Sequence, residues 1–182
     1  MPIQTIVRNC APTLAGIKIA NLFTYRFQTH EDLMDMVWQL GIALNPKGVY
    51  VKLLRVRSES ALVLVYRKTK MEEMLEDGQI QQFLAKRNYC CFELQACFDQ
   101  LIQNLGEAIF PHEIGVFLGY PLEDILSFIE HKGQNFKCLG CWKAYHNEDK
   151  AQQTFDSYKK CTAIYCRMLM DGFDISRLTI AG

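Results

Sequence analysis

Two apolar segments rich in β-branched residues, at 49–57 and 61–67, form the clearest pair of strands in the sequence. Only the polar tripeptide Ser58-Glu59-Ser60 separates them. Segments of this composition favour β-structure, and so short a connection joins antiparallel neighbours. The sequence therefore predicts a β-hairpin, in a fold whose other elements pack around a small antiparallel sheet.

Most of the remaining chain has apolar residues at helical spacing. Thr29 is a candidate cap for one helix, and Pro12 suits the first turn of an earlier helix that is predicted to run from 12 to about 25. A third strand is predicted over 136–145. Further helices are predicted over 71–85 with a break at Gly78, and over 90–105, 112–118, 122–131 and 148–170. Together these elements indicate an α+β fold that is mostly helical.

The size and charge of the chain exclude several classes of partner. Its 182 residues, 49% of them hydrophobic, suffice for one core, which predicts a single domain over 1–182. Basic and acidic residues number 20 each, so no overall field draws the protein to DNA or to an anionic membrane. No stretch approaches the ~20 apolar residues of a membrane span, and the opening segment lacks a signal-peptide core. We therefore expect a cytoplasmic protein whose eight cysteines are free thiols.

The first candidate site lies on the helix predicted from 12 to 25. Lys18 and Asn21 would share one narrow face of that helix, and Cys10 would lie just ahead of it. An ammonium and an amide on an otherwise apolar helix favour an anionic or carbonyl-bearing ligand, with a thiolate at Cys10 stabilised by the helix N-terminus. The structural alternative is that Lys18 extends to water, Asn21 holds a loop and Cys10 is a small buried residue.

Cys138 and Cys141 have the spacing of a zinc knuckle or a redox pair. On a continuous strand their side chains would point to opposite faces, whereas a turn at Gly140 would let the sulfurs converge. A structural zinc needs two more ligands, and the other cysteines and histidines show no second paired motif. A metal or redox site at this pair is one hypothesis, and ordinary packing of two thiols is the other.

His112, Glu113 and Lys143 complete the set of candidate ligand contacts. His112-Glu113 begins a predicted helix, where Glu113 suits the positive end of the helix dipole and His112 suits a cap or a ligand. The segment lacks the second histidine, four residues on, that zinc peptidases require. The structural alternative for the pair is a helix terminus tied to the corner at 119–121. Lys143 follows Trp142. We expect the Trp142 ring to pack in the protein and Lys143 to contact a ligand.

The hairpin provides the best argument for a macromolecular partner. Its basic side chains are accompanied by one acid, Glu59, and Tyr50 and Tyr66 are available for stacking on bases. The basic residues are Lys52, Arg55, Arg57, Arg67, Lys68 and Lys70. Four acids between 72 and 77 follow at once and oppose this interpretation. An RNA or protein contact here is the alternative to small-molecule binding, and the acidic helix at 122–131 argues against DNA.

Three parts of the sequence resemble a known bacterial family. They are Cys-Ala-Pro-Thr-Leu-Ala-Gly-Ile-Lys at 10–18 with Asn-Leu-Phe at 21–23, His-Glu-Ile-Gly-Val-Phe-Leu-Gly-Tyr-Pro at 112–121, and Trp-Lys-Ala-Tyr at 142–145. The family is described as domain of unknown function 3793 and is found mainly in clostridial-type anaerobes. The resemblance implies a single-domain protein and favours iron or redox physiology, but it brings no established activity.

No complete catalytic or cofactor motif accompanies these candidates. The sequence has no glycine-rich phosphate loop, Rossmann fingerprint, Gly-x-Ser-x-Gly elbow or kinase signature, so it leaves open whether the protein is an enzyme and which cofactor it takes. We expect a thiol-containing protein that binds a small molecule or a metal-related species in anaerobic iron or redox physiology. The alternatives are a non-catalytic module that contacts RNA or protein, and an enzyme that uses Cys10 as a nucleophile.

Overall fold

The computed structural model describes residues 2–107 and 110–182. Within them the helices are α1 Pro2–Leu14, α2 His30–Leu44, α3 Lys68–Leu75, α4 Gly78–Ala85, α5 Leu94–Leu105, α6 Ile114–Phe117, α7 Leu122–Glu130, α8 Glu148–Met170 and α9 Ile175–Leu178. The strands are β1 Ala20–Arg26, β2 Val49–Val56, β3 Ser60–Arg67, β4 Cys138–Leu139 and β5 Lys143–Ala144. A 3-10 turn, Asn45–Lys47, joins α2 to β2.

Three of the strands form an antiparallel sheet in the order β1-β3-β2. The predicted hairpin is β2 and β3, whose register runs from Val49 opposite Arg67 to Val56 opposite Ala61. Leu54 is an extra residue in β2 and produces a bulge. The predicted hairpin and the predicted α+β class are both confirmed.

The central strand β3 is buried on both faces, which explains why its sequence is apolar without alternation. Val63 and Val65 pack with α1, α2 and α9 on one face. Leu64 and Tyr66 pack with α3 to α7 on the other. The sheet is therefore the middle of three layers, while a smaller cluster around Phe155 lies under β4 and β5. A single domain over 1–182 stays a prediction.

The helix predicted from 12 to 25 is wrong. Pro12 lies in the last turn of α1 rather than in the first turn of a helix, and Gly16 reverses the chain with a φ of 76°. Ala20–Arg26 then becomes β1 and pairs along the whole length of β3. The local spacing permitted a helix, but pairing with a distant strand satisfies the backbone of this segment and buries its apolar side.

The continuous strand predicted over 136–145 is also wrong. β4 and β5 are two-residue strands that pair with each other, and residues 140–142 turn the chain between them. Position 140 requires glycine because a Cβ there would overlap the ring of Phe155 on α8. The close approach of this turn to α8 therefore determines the local conformation.

Several helices match their predictions. The Thr29 hydroxyl accepts from the Asp32 N–H at 3.1 Å, and the Asp32 carboxylate accepts from the Thr29 N–H at 2.9 Å, which makes a capping box at the start of α2. Asn147 caps α8 by accepting from the Lys150 N–H. The helix predicted from 90 begins later, at Leu94. None of the described helices is long and apolar enough to cross a membrane.

Candidate functional site

A cavity of about 350 Å³ opens between α7 and the β4–β5 hairpin. Its walls are mostly apolar, and we call it the aromatic cavity after three of its lining residues, Tyr120, Phe128 and Trp142. The rings of Tyr120 and Trp142 lie 5.2 Å apart between centroids. Two of the predicted contacts, His112 and Lys143, line the same cavity. Its volume lies in the range of sites for small organic ligands.

Asp124 on α7 holds one wall of the aromatic cavity in place. Its Oδ2 accepts from the indole N–H of Trp142 at 2.8 Å. Its Oδ1 accepts from the backbone N–H groups of Tyr145 at 2.8 Å and His146 at 3.0 Å. These three donors satisfy a carboxylate that is 3% exposed, so it positions Trp142 instead of presenting a free charge to a ligand. The sequence had marked Asp124 only as one acid of an acidic helix.

Lys143 contributes a cation to the rim of the aromatic cavity. Its Nζ donates to the Gly133 carbonyl at 2.8 Å and lies 4.9 Å from the ring centroid of Phe136. None of the described carboxylates pairs with it. A lysine has three N–H donors, and only one of those on Lys143 is needed for the Gly133 carbonyl. The other two can donate to a ligand.

Lys18 is the most unusual charged residue near this cavity. It lies in the turn between α1 and β1 and is only 6% exposed. Its Nζ is 5.3 Å from the ring centroid of Tyr120 and 5.8 Å from that of Tyr158. Within the described residues it has neither a carboxylate partner nor a side-chain hydrogen bond. Burial lowers its pKa, an effect that Cys141 and Cys10 oppose.

A second cavity, of about 490 Å³, lies between α1 and α8, which pack against each other. We call it the basic groove, since Arg8 and Lys159 line it together with Asn21, Tyr158 and Cys141, and none of its described lining residues is acidic. The side-chain oxygen of Asn21 accepts from the Thr13 hydroxyl at 2.7 Å, which leaves its NH₂ group available.

Cys141 joins the two cavities. It is exposed in the β4–β5 turn and lines both the aromatic cavity and the basic groove. It shares the aromatic cavity with Tyr120 and the basic groove with Tyr158, the two rings over which the Lys18 Nζ lies. Burial raises the pKa of Tyr120 and of Tyr158, and Cys141 raises both further, so these hydroxyls stay protonated near neutral pH. A thiol and two phenols thus line the cavities, and the Lys18 ammonium lies over the two phenol rings.

The family comparison agrees with the resemblance found in the sequence. A family model described as "Protein of unknown function (DUF3793)" matches residues 6–179. The chain belongs to this family. No curated protein and no solved structure matches it. The match includes every candidate site residue, and the description names no activity.

Cys10 of the DUF3793 chain lies inside α1, so its predicted position ahead of a helix N-terminus is wrong. Its side chain is fully buried. Burial raises the pKa of this thiol far above its ordinary value, and the nearby Lys18 only partly offsets the effect. The position favours the alternative of a small packed residue, whereas the exposed thiol next to Lys18 belongs to Cys141.

Glu113 points away from the aromatic cavity that His112 lines. Its carboxylate accepts from the Asn104 side-chain amide at 2.7 Å and lies 4.0 Å from the Arg87 Nε. The Tyr89 hydroxyl donates to the same carboxylate at 3.5 Å. Glu113 is 5% exposed, and these contacts anchor the start of α6 to α5 and to the segment that follows α4. His112 is exposed, and its ring meets Phe128 edge-on.

Cys138 and Cys141 have different neighbours, although Gly140 does open a turn between them. The Cys138 thiol donates to the Gln152 side chain of α8 at 3.4 Å and packs in the cluster of Phe155. Among the described residues no three His, Cys, Asp or Glu side chains are grouped so that they would hold a metal ion. A metal site at this pair stays a prediction and has no third ligand in the described part of the chain.

The basic residues of the β2–β3 hairpin mostly have partners within the DUF3793 chain. Arg67 is buried and donates to the carbonyls of Thr13 and Leu14 at 2.7 Å each. Arg55 donates to a carbonyl of α5, and Tyr66 is 8% exposed. Side chains used in this way are poorly placed to contact phosphates or to stack on bases. The RNA or protein contact stays a prediction with little structural support.

The aromatic cavity brings His112, Lys143 and Cys141 together, and Asn21 lines the basic groove with the same Cys141. Lys18 lies over one ring from each cavity, whereas Glu113 and Cys138 line neither cavity. Sequence reasoning missed Tyr120, Tyr158 and Asp124. No local pattern marks them, because Tyr120 looked like part of a turn and Tyr158 like part of an apolar helix face.

Proposed function

We propose that this protein binds a small organic anion in the aromatic cavity and acts as a ligand-binding protein of the reducing cytoplasm, in iron or redox physiology. The observation that carries this proposal is the pairing of an apolar, aromatic cavity with lysine ammonium groups that lack acidic partners among the described residues.

The charges around the cavity favour an anionic group on the ligand. Lys143 lies at the rim, and the nearly buried Lys18 lies behind Tyr120. Removing an ammonium from water without an opposing charge is unfavourable, so a bound anion would stabilise the pair. Among the described lining residues the one acidic side chain is Asp124. Its oxygens already accept three hydrogen bonds.

The walls favour an aromatic or aliphatic body on the same ligand. Trp142, Tyr120 and Phe128 supply flat apolar surfaces, and burying such surface contributes roughly 25 cal/mol per Å². Asp124 and Phe155 hold the Trp142 ring, whose centroid lies 4.5 Å from that of Phe155. A wall that is already ordered binds with less loss of entropy.

A metal-related ligand would enter this cavity as an organic complex rather than as a bare ion. The described residues offer no group of three metal-ligating side chains, whereas the aromatic walls and lysines suit an anionic chelate. Iron bound in such a chelate would need no ligand from the protein.

Fluorescence of Trp142 tests the proposal directly. The chain has two tryptophans, and the other, Trp38, is exposed on α2, so Trp38→Phe leaves Trp142 as the only reporter. Titration with 8-anilinonaphthalene-1-sulfonate, an aromatic anion, should quench Trp142. Lys143→Met should weaken this binding by about tenfold, the effect of losing one charge-assisted contact. Lys150→Met, an exposed lysine on α8, is the matched control and should have no effect.

Native mass spectrometry of anaerobically purified protein complements the titration. A bound anion above the mass of the chain would identify the natural ligand. Quenching that is absent, or that responds equally to Lys143→Met and Lys150→Met, would rule out an anion site in the aromatic cavity.

A cysteine-based activity is the second candidate function. The specific observation in its favour is the exposed Cys141, which lines the cavities with Tyr120 and Tyr158. The Lys18 ammonium lies over these two rings and has no carboxylate partner among the described residues. Cys10, the nucleophile suggested by the sequence, is fully buried.

A further inference from the structure

Cys141 has an environment unlike that of the other exposed cysteines, Cys90 and Cys91. It lies where the aromatic cavity meets the basic groove. We propose that Cys141 is a site of reversible thiol–disulfide exchange, and that the basic groove admits a small disulfide carrying negative charge. This inference does not depend on ligand binding in the aromatic cavity.

The placement of Lys18 supports this role for Cys141. Its ammonium is almost completely buried and has no carboxylate partner in the described part of the chain. Its Nζ lies over the rings of Tyr120 and Tyr158, and each of these rings lines a cavity together with Cys141. The thiolate is the reactive form of a cysteine, and a neighbouring cation stabilises the negative charge that attack requires.

The groove that leads to Cys141 carries positive charge. Arg8 and Lys159 are exposed along it, on α1 and α8. Lys159 lies 4.0 Å from Asp156, but both side chains are largely exposed, so water screens that pair and it contributes little. A disulfide bearing carboxylates therefore meets a favourable potential on its way to the thiol.

Two phenols also line the cavities together with Cys141. Tyr120 lines the aromatic cavity, Tyr158 lines the basic groove, and the pKa of each is raised by burial. Protonated hydroxyls next to Cys141 can donate hydrogen bonds to a thiolate or to the sulfur that leaves. No such pair of donors was expected from the sequence.

The exchange reaction is balanced without another oxidant. The Cys141 thiol loses its proton to water, and its sulfur attacks one sulfur of the small disulfide. The disulfide bond breaks as the new bond to Cys141 forms, and the departing thiolate takes up a proton. Cys141 is oxidised, one half of the small disulfide is reduced to a thiol, and excess thiol reverses the reaction.

Peptide mapping by mass spectrometry provides the test on the full, reduced chain. The protein is incubated with oxidised glutathione, an anionic disulfide, quenched with acid at intervals and digested. Cys141 should form the mixed disulfide about tenfold faster than Cys90 and Cys91, which serve as internal references in the same sample. Cystamine, a cationic disulfide, should show a much smaller preference for Cys141.

The Lys18→Met variant tests whether Cys141 reacts faster because of the Lys18 charge or only because Cys141 is exposed. This variant should remove most of the advantage of Cys141 and leave the rates at Cys90 and Cys91 unchanged, while Lys150→Met should change none of them. Equal rates at the three cysteines, or an unchanged rate at Cys141 in Lys18→Met, would overturn the proposal. Peptide mapping measures the exchange at Cys141 and quenching of Trp142 measures anion binding, so the two proposals can fail separately.

Discussion

Asp124 of α7 accepts a 2.8 Å hydrogen bond from the indole N–H of Trp142 in the β4–β5 turn. Through its other oxygen the same carboxylate binds two backbone N–H groups just after β5. One buried side chain thus attaches the hairpin to α7 and fixes a wall of the aromatic cavity.

Replacing Asp124 with alanine should lower the free energy of unfolding by about 3 kcal/mol, because three buried donors lose their acceptor. Urea denaturation would measure the change, and near-ultraviolet circular dichroism should show a less ordered Trp142. Glu130→Ala, at the exposed end of the same helix, should change stability by less than about 0.5 kcal/mol. Equal losses in the two variants would show that the carboxylate has no anchoring role.

Lys18→Met should stabilise the protein at neutral pH by about 1–3 kcal/mol, because the variant removes a buried charge that has no acidic partner in the described part of the chain. Burial lowers the pKa of Lys18, so the folded state holds this proton less tightly than the unfolded state does. The destabilisation is complete below the folded-state pKa and fades as the pH rises towards the ordinary value of 10.5. The advantage of the variant should therefore shrink at alkaline pH.

Urea denaturation of Lys18→Met and of the original chain, at neutral pH and close to pH 10.5, would test this dependence on pH. Lys150→Met should match the original chain at both pH values. A Lys18→Met variant that is less stable at neutral pH would show that the ammonium has a stabilising partner.

Gly140→Ala should destabilise the protein by about 1–3 kcal/mol, since the new methyl group would overlap the ring of Phe155. In the Phe155→Leu background, Gly140→Ala should cost less stability than it does in the original chain, because the smaller side chain leaves room for the methyl group. Gly78→Ala is the matched control, as a Cβ there meets open space. Thermal unfolding is measured for the original chain, the two single variants, the double variant and the control. Additive effects of Gly140→Ala and Phe155→Leu would contradict the predicted overlap.

Arg67→Met should cost about 3 kcal/mol of stability, because the guanidinium satisfies the carbonyls of Thr13, Leu14 and Ile180. Lys68→Met, its exposed neighbour, should have almost no effect, since the ion pair with Glu72 lies at the surface. The comparison is made by chemical denaturation. If both variants are as stable as the original chain, Arg67 does not hold the end of α1.

The elements that were predicted correctly from sequence have signals contained within a few residues. The capping box of α2 involves only Thr29 and Asp32, and the β2–β3 hairpin follows from two apolar segments with a short polar link. The helix predicted over 148–170 is α8, and the structure gives it an equally local cap, at Asn147 and Lys150. In such cases the backbone finds its partners close by in the sequence, so the pattern alone predicts the structure.

The conformations of 12–25 and 136–145 depended on contacts that the local pattern does not contain. β1 forms because its backbone pairs with that of β3, and the turn at 140–142 forms where it can pack on Phe155. Non-local hydrogen bonds and burial override the spacing of apolar residues in such segments.

The amino-acid sequence by itself determined the hairpin, the capped helices and the family, and it drew attention to Lys18, Asn21 and Cys141. Only the tertiary structure decided that these three residues are neighbours and that Cys141, not Cys10, is the accessible thiol beside the lysine. The physical reason is that the site is assembled from the α1–β1 turn, β1, the β4–β5 turn and α8. Long-range packing alone brings these segments together and sets which of their polar groups are buried.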